Sequence, residues 1–223
     1  MPVETNILLA LPYFSGLGAT ELENIKPMLF DKSIPRGDMI FMEGEPAETL
    51  YFLINGIVKL FKTSAQGKEQ IISLARPHEV LNDVSIFGNG PNAVSAQAMT
   101  PIVIYGIKKD RLEAVLTQYP QVGVRIIRAL SERMQQLLTL IEDLSFKHVI
   151  GRVAKILLEN AADGDVPGHR LTQQEMAAMA GTAREVVARS LKTLEERGLI
   201  RLNRHRIVVA DADALKEMIE LEP

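Results

Sequence analysis

The sequence predicts an α+β protein: an N-terminal double-stranded β-helix of the jelly-roll type, one long helix, and a C-terminal helical unit finished by a two-stranded wing. Three observations predict it. Residues 31–107 break into short β-branched and aromatic runs separated by Gly- and Asn-containing turns. Residues 121–144 carry apolar side chains at spacings of three and four. Residues 171–196 hold a helix-capping signal, a glycine and a second amphipathic run. The chain of 223 residues is long for one domain and comfortable for two. We divide it into 1–120 for the barrel, 121–146 for the long helix and hinge, and 147–223 for the C-terminal unit.

In the first part, residues 1–30 suit short helices, with Leu8, Leu9, Leu11, Phe14, Leu17, Leu22, Ile25, Met28 and Leu29 in a helical pattern and Pro12, Gly16 and Gly18 as interruptions. Strands are expected at 32–34, 39–42, 49–55, 57–63, 70–74, 94–98 and 102–107. Pro35-Arg36-Gly37-Asp38, Glu43-Gly44-Glu45-Pro46, Asn55-Gly56 and Ala65-Gln66-Gly67-Lys68 supply the turns. Many short antiparallel strands of this kind close into a double-sheet barrel, whose interior or mouth can take one small ligand. Residues 78–93 do not read as a plain hairpin. A short helical turn at 81–87 and an irregular loop through Gly88-Asn89-Gly90-Pro91 fit better. Such an insertion is either a place for anion-binding backbone amides or an ordinary surface loop.

A small helix is expected at 109–116, then the long one. Val124, Ile127, Leu130, Met134, Leu137 or Leu138, Ile141 and Leu144 approach a heptad seam. One side of this helix is expected to meet a second copy while the other covers the barrel. Ser145-Phe146-Lys147 interrupts the seam and marks the hinge. Another amphipathic helix follows at 149–160, then a polar surface loop at 161–170.

Thr172 and Glu175 form the S/T-x-x-E capping box that opens a two-turn helix. Gly181 allows the positive φ of a sharp turn. In the next helix Val186, Val187, Leu191 and Leu194 share an apolar face, and Arg184, Glu185, Ala188, Arg189 and Lys192 lie opposite. This is a helix-turn-helix whose second helix enters the DNA major groove. Arg184 and Arg189 can each grip guanine O6 and N7, and Glu185 can accept from cytosine N4. The ordinary alternative is a solvated face with pairs such as Glu185 and Arg189. Gly198 ends the helix, strands at 199–202 and 206–209 make the wing, and Asn203-Arg204-His205 turns it. Arg201, Arg204 and Arg206 are candidates for phosphate contacts, and Thr182 and Lys192 are further candidates for DNA contact. An acidic helix at 211–221 closes the chain.

The charge distribution agrees with this reading. Residues 1–146 carry 13 Lys and Arg against 16 Asp and Glu, whereas 147–209 carry 11 against 7. Positive charge therefore gathers where phosphates would be met. The absence of cysteine excludes disulfides, thiol switches and cysteine-ligated zinc or iron–sulfur centres. No apolar run is long enough to span a bilayer and no signal-peptide pattern opens the chain, so a cytoplasmic location is expected. The four histidines are dispersed and no nucleophile–base constellation is visible, so the chain is not expected to be an enzyme.

Gly44-Glu45-Pro46-Ala47-Glu48, residues 51–56 (YFLING), Gly67-Lys68-Glu69, Gly151-Arg152-Val153-Ala154 and residues 184–189 (REVVAR) together resemble the CRP/FNR family of bacterial transcription regulators. The resemblance covers essentially the whole chain. It implies a homodimer that binds double-stranded DNA and contacts RNA polymerase, with the 161–170 loop as a contact surface. It places Arg184, Glu185 and Arg189 at the base-reading positions. The pattern is closer to the cyclic-AMP-receptor type than to the FNR type, which has serine at Ala188, and implies a palindrome with TGTGA-like half-sites.

The resemblance also locates an effector pocket at Asn82, Asp83, Asn92, Ala93, Met134, Leu137 and Leu138. There this chain departs from the cyclic-AMP pattern. Asn82-Asp83 stands for a Gly-Glu pair, Asn92-Ala93 for the Arg-Ser pair that holds the cyclic phosphate, and Leu137-Leu138 for a Thr-Ser pair. A buried phosphate without a cation is costly, so cyclic AMP is not the expected effector. The chain is similar to the denitrification and nitrosative-stress regulators of the family, which suggests haem, nitric oxide or an apolar metabolite. His78, His148, Met134 and the Pro2 amine are the candidate haem ligands. The alternatives are a cyclic-nucleotide-responsive regulator and a ligand-sensing module that does not bind DNA.

Overall fold

The computed structural model describes residues 3–162, 171–203 and 206–221, which fall into two compact units. The first comprises residues 1–62 and 73–136; the second comprises 63–72 and 137–223.

The first unit opens with helices α1 (Thr5–Ala10) and α2 (Ala19–Ile25) and a 3-10 turn at Lys26–Met28. Strands β1 (Leu29–Ile34), β2 (Met39–Phe41), β3 (Thr49–Asn55), β4 (Val58–Thr63), β5 (Glu69–Ala75) and β6 (Val80–Leu81) follow. After helix α3 (Asp83–Gly88) come β7 (Ser95–Ala98), β8 (Ile102–Lys108) and helix α4 (Lys109–Gln118). The strands build two four-stranded sheets in the orders β1-β8-β3-β6 and β2-β7-β4-β5. All seven expected strands are present within two or three residues of their predicted limits. The two-residue β6 was not expected, because so short a pairing leaves no period in the sequence.

In the β1-β8-β3-β6 sheet the central strands β3 and β8 are largely buried on both faces, which explains why they read as nearly continuous apolar runs, whereas the edge strand β1 is mostly exposed. Leu53, Ile102 and Ile104 face the second sheet, where they pack with Phe41, Val58, Leu60 and Ala96. Leu50, Phe52, Tyr105 and Ile107 face the helices, where they meet Leu8, Leu11, Phe14, Leu22, Ile25, Leu112 and Val122. The period of two thus divides one sheet between two cores.

Helix α5 (Pro120–Phe146) runs 27 residues. It continues through Ser145 and Phe146, so the break expected there falls at Lys147 and His148. Val122 and Ile126 are buried in the helix-side core and Leu130 packs against it. Leu130 therefore leaves the expected seam. The exposed stripe is Val124, Ile127, Met134, Leu138 and Ile141, between 58% and 67% exposed, with Ser131 in register. Positions 124, 127, 131, 134, 138 and 141 alternate by three and four, the strict heptad spacing.

In the second unit, α6 (Val149–Ala162), α7 (Gln173–Ala180), α8 (Arg184–Glu196), the hairpin β9 (Ile200–Asn203) and β10 (Arg206–Val209), and α9 (Ala212–Leu221) enclose a separate core. Val153, Ala154, Leu157, Met176, Ala177, Ala180, Val187, Leu191, Leu194, Ile200 and Leu215 form it. Residues 163–170 of the expected surface loop lie outside the described residues, and residues 161 and 162 instead end α6.

Candidate nucleic-acid interface and effector site

The helix-turn-helix is fixed by local chemistry. Thr172 Oγ1 accepts from Glu175 N at 3.2 Å, and Glu175 Oε2 accepts from Thr172 N at 2.6 Å, closing the capping box. Met176, Ala177 and Ala180 are buried, and their small size lets α7 lie close to its neighbours. Gly181 has φ +65° and its N–H returns to Ala177 O, joined there by Thr182 N at 3.0 Å. A Cβ on Gly181 would lie 3.0 Å from Leu144 Cδ2 and 3.2 Å from Gln70 Oε1, so the turn has little space as well as a left-handed backbone. Gln70 Nε2 also donates to Met179 O, one of the last α7 carbonyls, at 3.2 Å.

Helix α8 turns Val187, Ser190, Leu191 and Leu194 inward. Arg184, Glu185, Ala188, Arg189 and Lys192 are all exposed, as the sequence predicts, and Thr182 is half-buried. Lys192 lies 3.7 Å from Glu196. Among the described residues Glu185 and Arg189 do not form the i,i+4 pair of an ordinary solvated face. Both guanidinium forks and the Glu185 carboxylate therefore stand on the solvent side of α8. Arg201 is exposed on the wing; Arg204 lies outside the described residues, as does the side chain of Arg206.

The start of α8 contrasts with that of α7. Its N-cap is Ala183, extended at φ −89° and ψ 151°, with no side-chain acceptor for the first amides. Replacing Ala183 by serine should stabilise the second unit by about 1 kcal/mol, because a hydroxyl would accept from the first turn. A higher urea midpoint with an unchanged slope is the expected result.

The predicted effector residues divide in the structure. Asn82, Asp83 and Asn92 are buried, whereas Ala93, Met134, Leu137 and Leu138 are exposed. Asn82 takes a left-handed conformation at φ 70° and donates from Nδ2 to Thr49 O at 3.2 Å. Asn92 Nδ2 donates to Met42 O at 3.0 Å, and Ser85 Oγ accepts from Ala93 N at 2.9 Å. These groups hold the turn together.

Two residues absent from the sequence reading complete this cluster. Arg133 of α5 places Nη1 3.6 Å from Asp83 Oδ1 and donates from Nη2 to Val80 O at 3.0 Å. Tyr13 donates from its hydroxyl to Asp83 Oδ2 at 3.2 Å. Burial pushes the Tyr13 phenol well above its ordinary range, and the neighbouring Asp83 charge adds to the effect, so the donor proton stays. The available signal was an arginine on the apolar side of a long helix, which alone does not name its partner.

The other basic groups at this segment are also engaged. Lys62 donates to Ala93 O at 3.1 Å and lies 2.8 Å from Glu43, and Lys109 donates to Asn89 Oδ1. The haem expectation finds no support in the residues. His78 is exposed on a turn at φ 74°, His148 is exposed, Met134 is 62% exposed, and Pro2 lies outside the described residues. Among the described residues no cluster of three metal-ligating side chains occurs. No helix among them is long and apolar enough to cross a membrane.

A jelly-roll barrel, a long amphipathic helix and a winged helix-turn-helix define a DNA-binding transcription regulator. Comparisons agree: residues 31–119 match the cyclic nucleotide-binding domain and residues 151–218 the Crp-like helix-turn-helix domain. The chain is 32% identical to the CRP-like cAMP-activated global transcriptional regulator of Mycobacterium tuberculosis over 216 residues, covering 94% of this chain and 96% of that one. It is 30% identical to the cyclic AMP receptor protein of Thermus thermophilus over 207 residues, covering 93% and 96%. Its fold resembles that of FixK2 from Bradyrhizobium japonicum, with a TM-score of 0.74 and 24% identity across 85% of this chain and 96% of that one. This protein belongs to the CRP/FNR family of transcription regulators.

Proposed function

We propose that the protein is an effector-responsive regulator that binds a palindromic, TGTGA-like operator as a homodimer and contacts RNA polymerase there. The observation that carries the DNA reading is the exposed Arg184, Glu185 and Arg189 set on a helix whose opposite face is buried. Bidentate arginine–guanine contacts discriminate by about 1–3 kcal/mol each. Arg189→Ala should therefore weaken cognate binding by about 1–3 kcal/mol and relax the preference at one guanine of each half-site. Titration against duplexes varied one base at a time checks this. An equal loss on every sequence would mean that Arg189 only meets phosphates.

Pairing is supported by the exposed heptad stripe on α5, whose apolar side chains are suited to a second copy. The two recognition helices would then meet half-sites about one helical turn apart, roughly 34 Å. Sedimentation of the purified chain tests the pairing, and a monomer at all concentrations excludes it.

The effector reading rests on the barrel side of α5. Asn92 and Ala93 offer no charge to a cyclic phosphate, and Arg133, Lys62 and Lys109 already hold protein partners. The effector is accordingly a ligand other than cyclic AMP, acting by preferring one form of the dimer. Cyclic AMP is the second reading, favoured by the names of the two relatives. Operator binding measured with and without cyclic AMP decides between them: unchanged affinity supports the first, and a large gain the second.

A further inference from the structure

The junction between α5 and α6 contains a buried ion cluster that DNA reading and effector binding leave unused. Asp143, on the last turn but one of α5, is 8% exposed. Its Oδ1 lies 2.8 Å from Lys147 Nζ, four residues on, and its Oδ2 is bonded by Lys155 Nζ from α6. Lys155 also lies 3.9 Å from Glu159. The main chain of the same junction is held from the other side: Arg152 donates to Lys147 O and, through Nε at 2.8 Å, to Ala180 O at the end of α7. Lys147 is thus fixed by its ammonium and by its carbonyl together. Burial works against the Asp143 charge, but hydrogen bonds and attraction from Lys147 and Lys155 outweigh it and hold the carboxyl below the usual carboxylate range.

Ordinary hinge residues need none of this. A carboxylate nearly out of water costs several kcal/mol unless its partners are placed well, so the cluster tolerates one arrangement of α5 against α6 and resists others. Because α6 packs directly on α7 and α8 in one core, that arrangement sets where α8 sits relative to the end of α5.

We propose that Asp143, with Lys147 and Lys155, is a positioning device for operator recognition: it fixes the angle at which the reading unit leaves the dimer helix and so the distance between the two α8 helices. This rests on the dimeric DNA-binding reading given above. The cluster does not touch DNA. It determines which half-site spacing the dimer accepts.

The test uses the full-length protein and three duplexes with TGTGA-like half-sites, one with centres a helical turn apart and two with one base pair added or removed, plus a single half-site. Asp143→Asn and Lys155→Met each remove one charge, and Lys155→Arg keeps it. The first two should bind the best-spaced palindrome about ten-fold more weakly, keep half-site affinity within about two-fold, and lose most of the spacing preference. Lys155→Arg should retain both affinity and preference. If half-site and palindrome affinities fall together, the cluster only stabilises the unit and the proposal fails. It also fails if Lys155→Met and Asp143→Asn keep the wild-type spacing preference. Wild-type protein that binds none of the duplexes overturns the DNA reading itself, and this inference with it.

Discussion

Replacing Arg133 by methionine should destabilise the first unit by about 3–5 kcal/mol, because it leaves the Asp83 carboxylate buried without its cation. The Asp83 side chain is only 3% exposed and that of Arg133 22%, so water screens the pair little. Methionine keeps much of the arginine stem, which limits the packing loss. What disappears is the guanidinium that meets both Asp83 Oδ1 and the Val80 carbonyl. Urea denaturation followed by a barrel-specific signal measures the effect. The double variant Arg133→Met with Asp83→Asn separates charge from shape. It removes the stranded carboxylate but leaves an oxygen to accept from Tyr13, so it should recover a good part of the loss. If the single variant costs less than about 1 kcal/mol, Asp83 is not the buried charge the geometry describes.

The second large effect is expected at Gly56. Its φ is +90°, and an added Cβ would lie 2.6 Å from Thr100 Oγ1, 2.7 Å from Ile102 Cγ2 and 2.7 Å from the backbone oxygen of Pro101. The left-handed backbone costs alanine about 1–2 kcal/mol. Displacing the neighbours costs about 1–3 kcal/mol more, since the Pro101 oxygen belongs to the main chain and cannot swing aside. Thr100 cannot move freely either, because its Oγ1 accepts from Ile57 N at 3.0 Å. Gly56→Ala should lower the thermal midpoint substantially while DNA affinity of the folded fraction stays unchanged. A midpoint within a degree or two of wild type would mean that the β3–β4 turn can be rebuilt around a side chain.

These two sites also show what the sequence could and could not disclose. Asn55-Gly56 was legible as a hairpin turn because turn chemistry is local, and the same is true of the Thr172–Glu175 capping box and the Gly181 turn. The inward and outward faces of α8 followed from a 3.6-residue period, which needs no knowledge of the partner. The Tyr13–Asp83–Arg133 cluster was not legible. Its members are separated by 70 and 50 residues, and no periodicity connects them. Asp143 was hidden for a related reason: a lone acidic residue near a helix end looks solvated until α6 brings Lys155 to it. In the expected seam, Leu130 packs instead against the helix-side core, because hydrophobicity alone cannot say which apolar residue the barrel claims. The haem candidates were named without a spacing to join them, since a dispersed set of histidines and a methionine carries no information about convergence.

Ser131 has one more consequence. It puts a hydroxyl, satisfied at 2.8 Å by its own helix at Ile127 O, in the middle of an otherwise apolar repeat. A stripe so interrupted holds two copies together less tightly than an unbroken one, and the balance of single and paired chains then shifts by mass action. If the chain pairs on a two-fold operator as proposed, occupancy below the pairing constant would rise with the square of the chain's concentration.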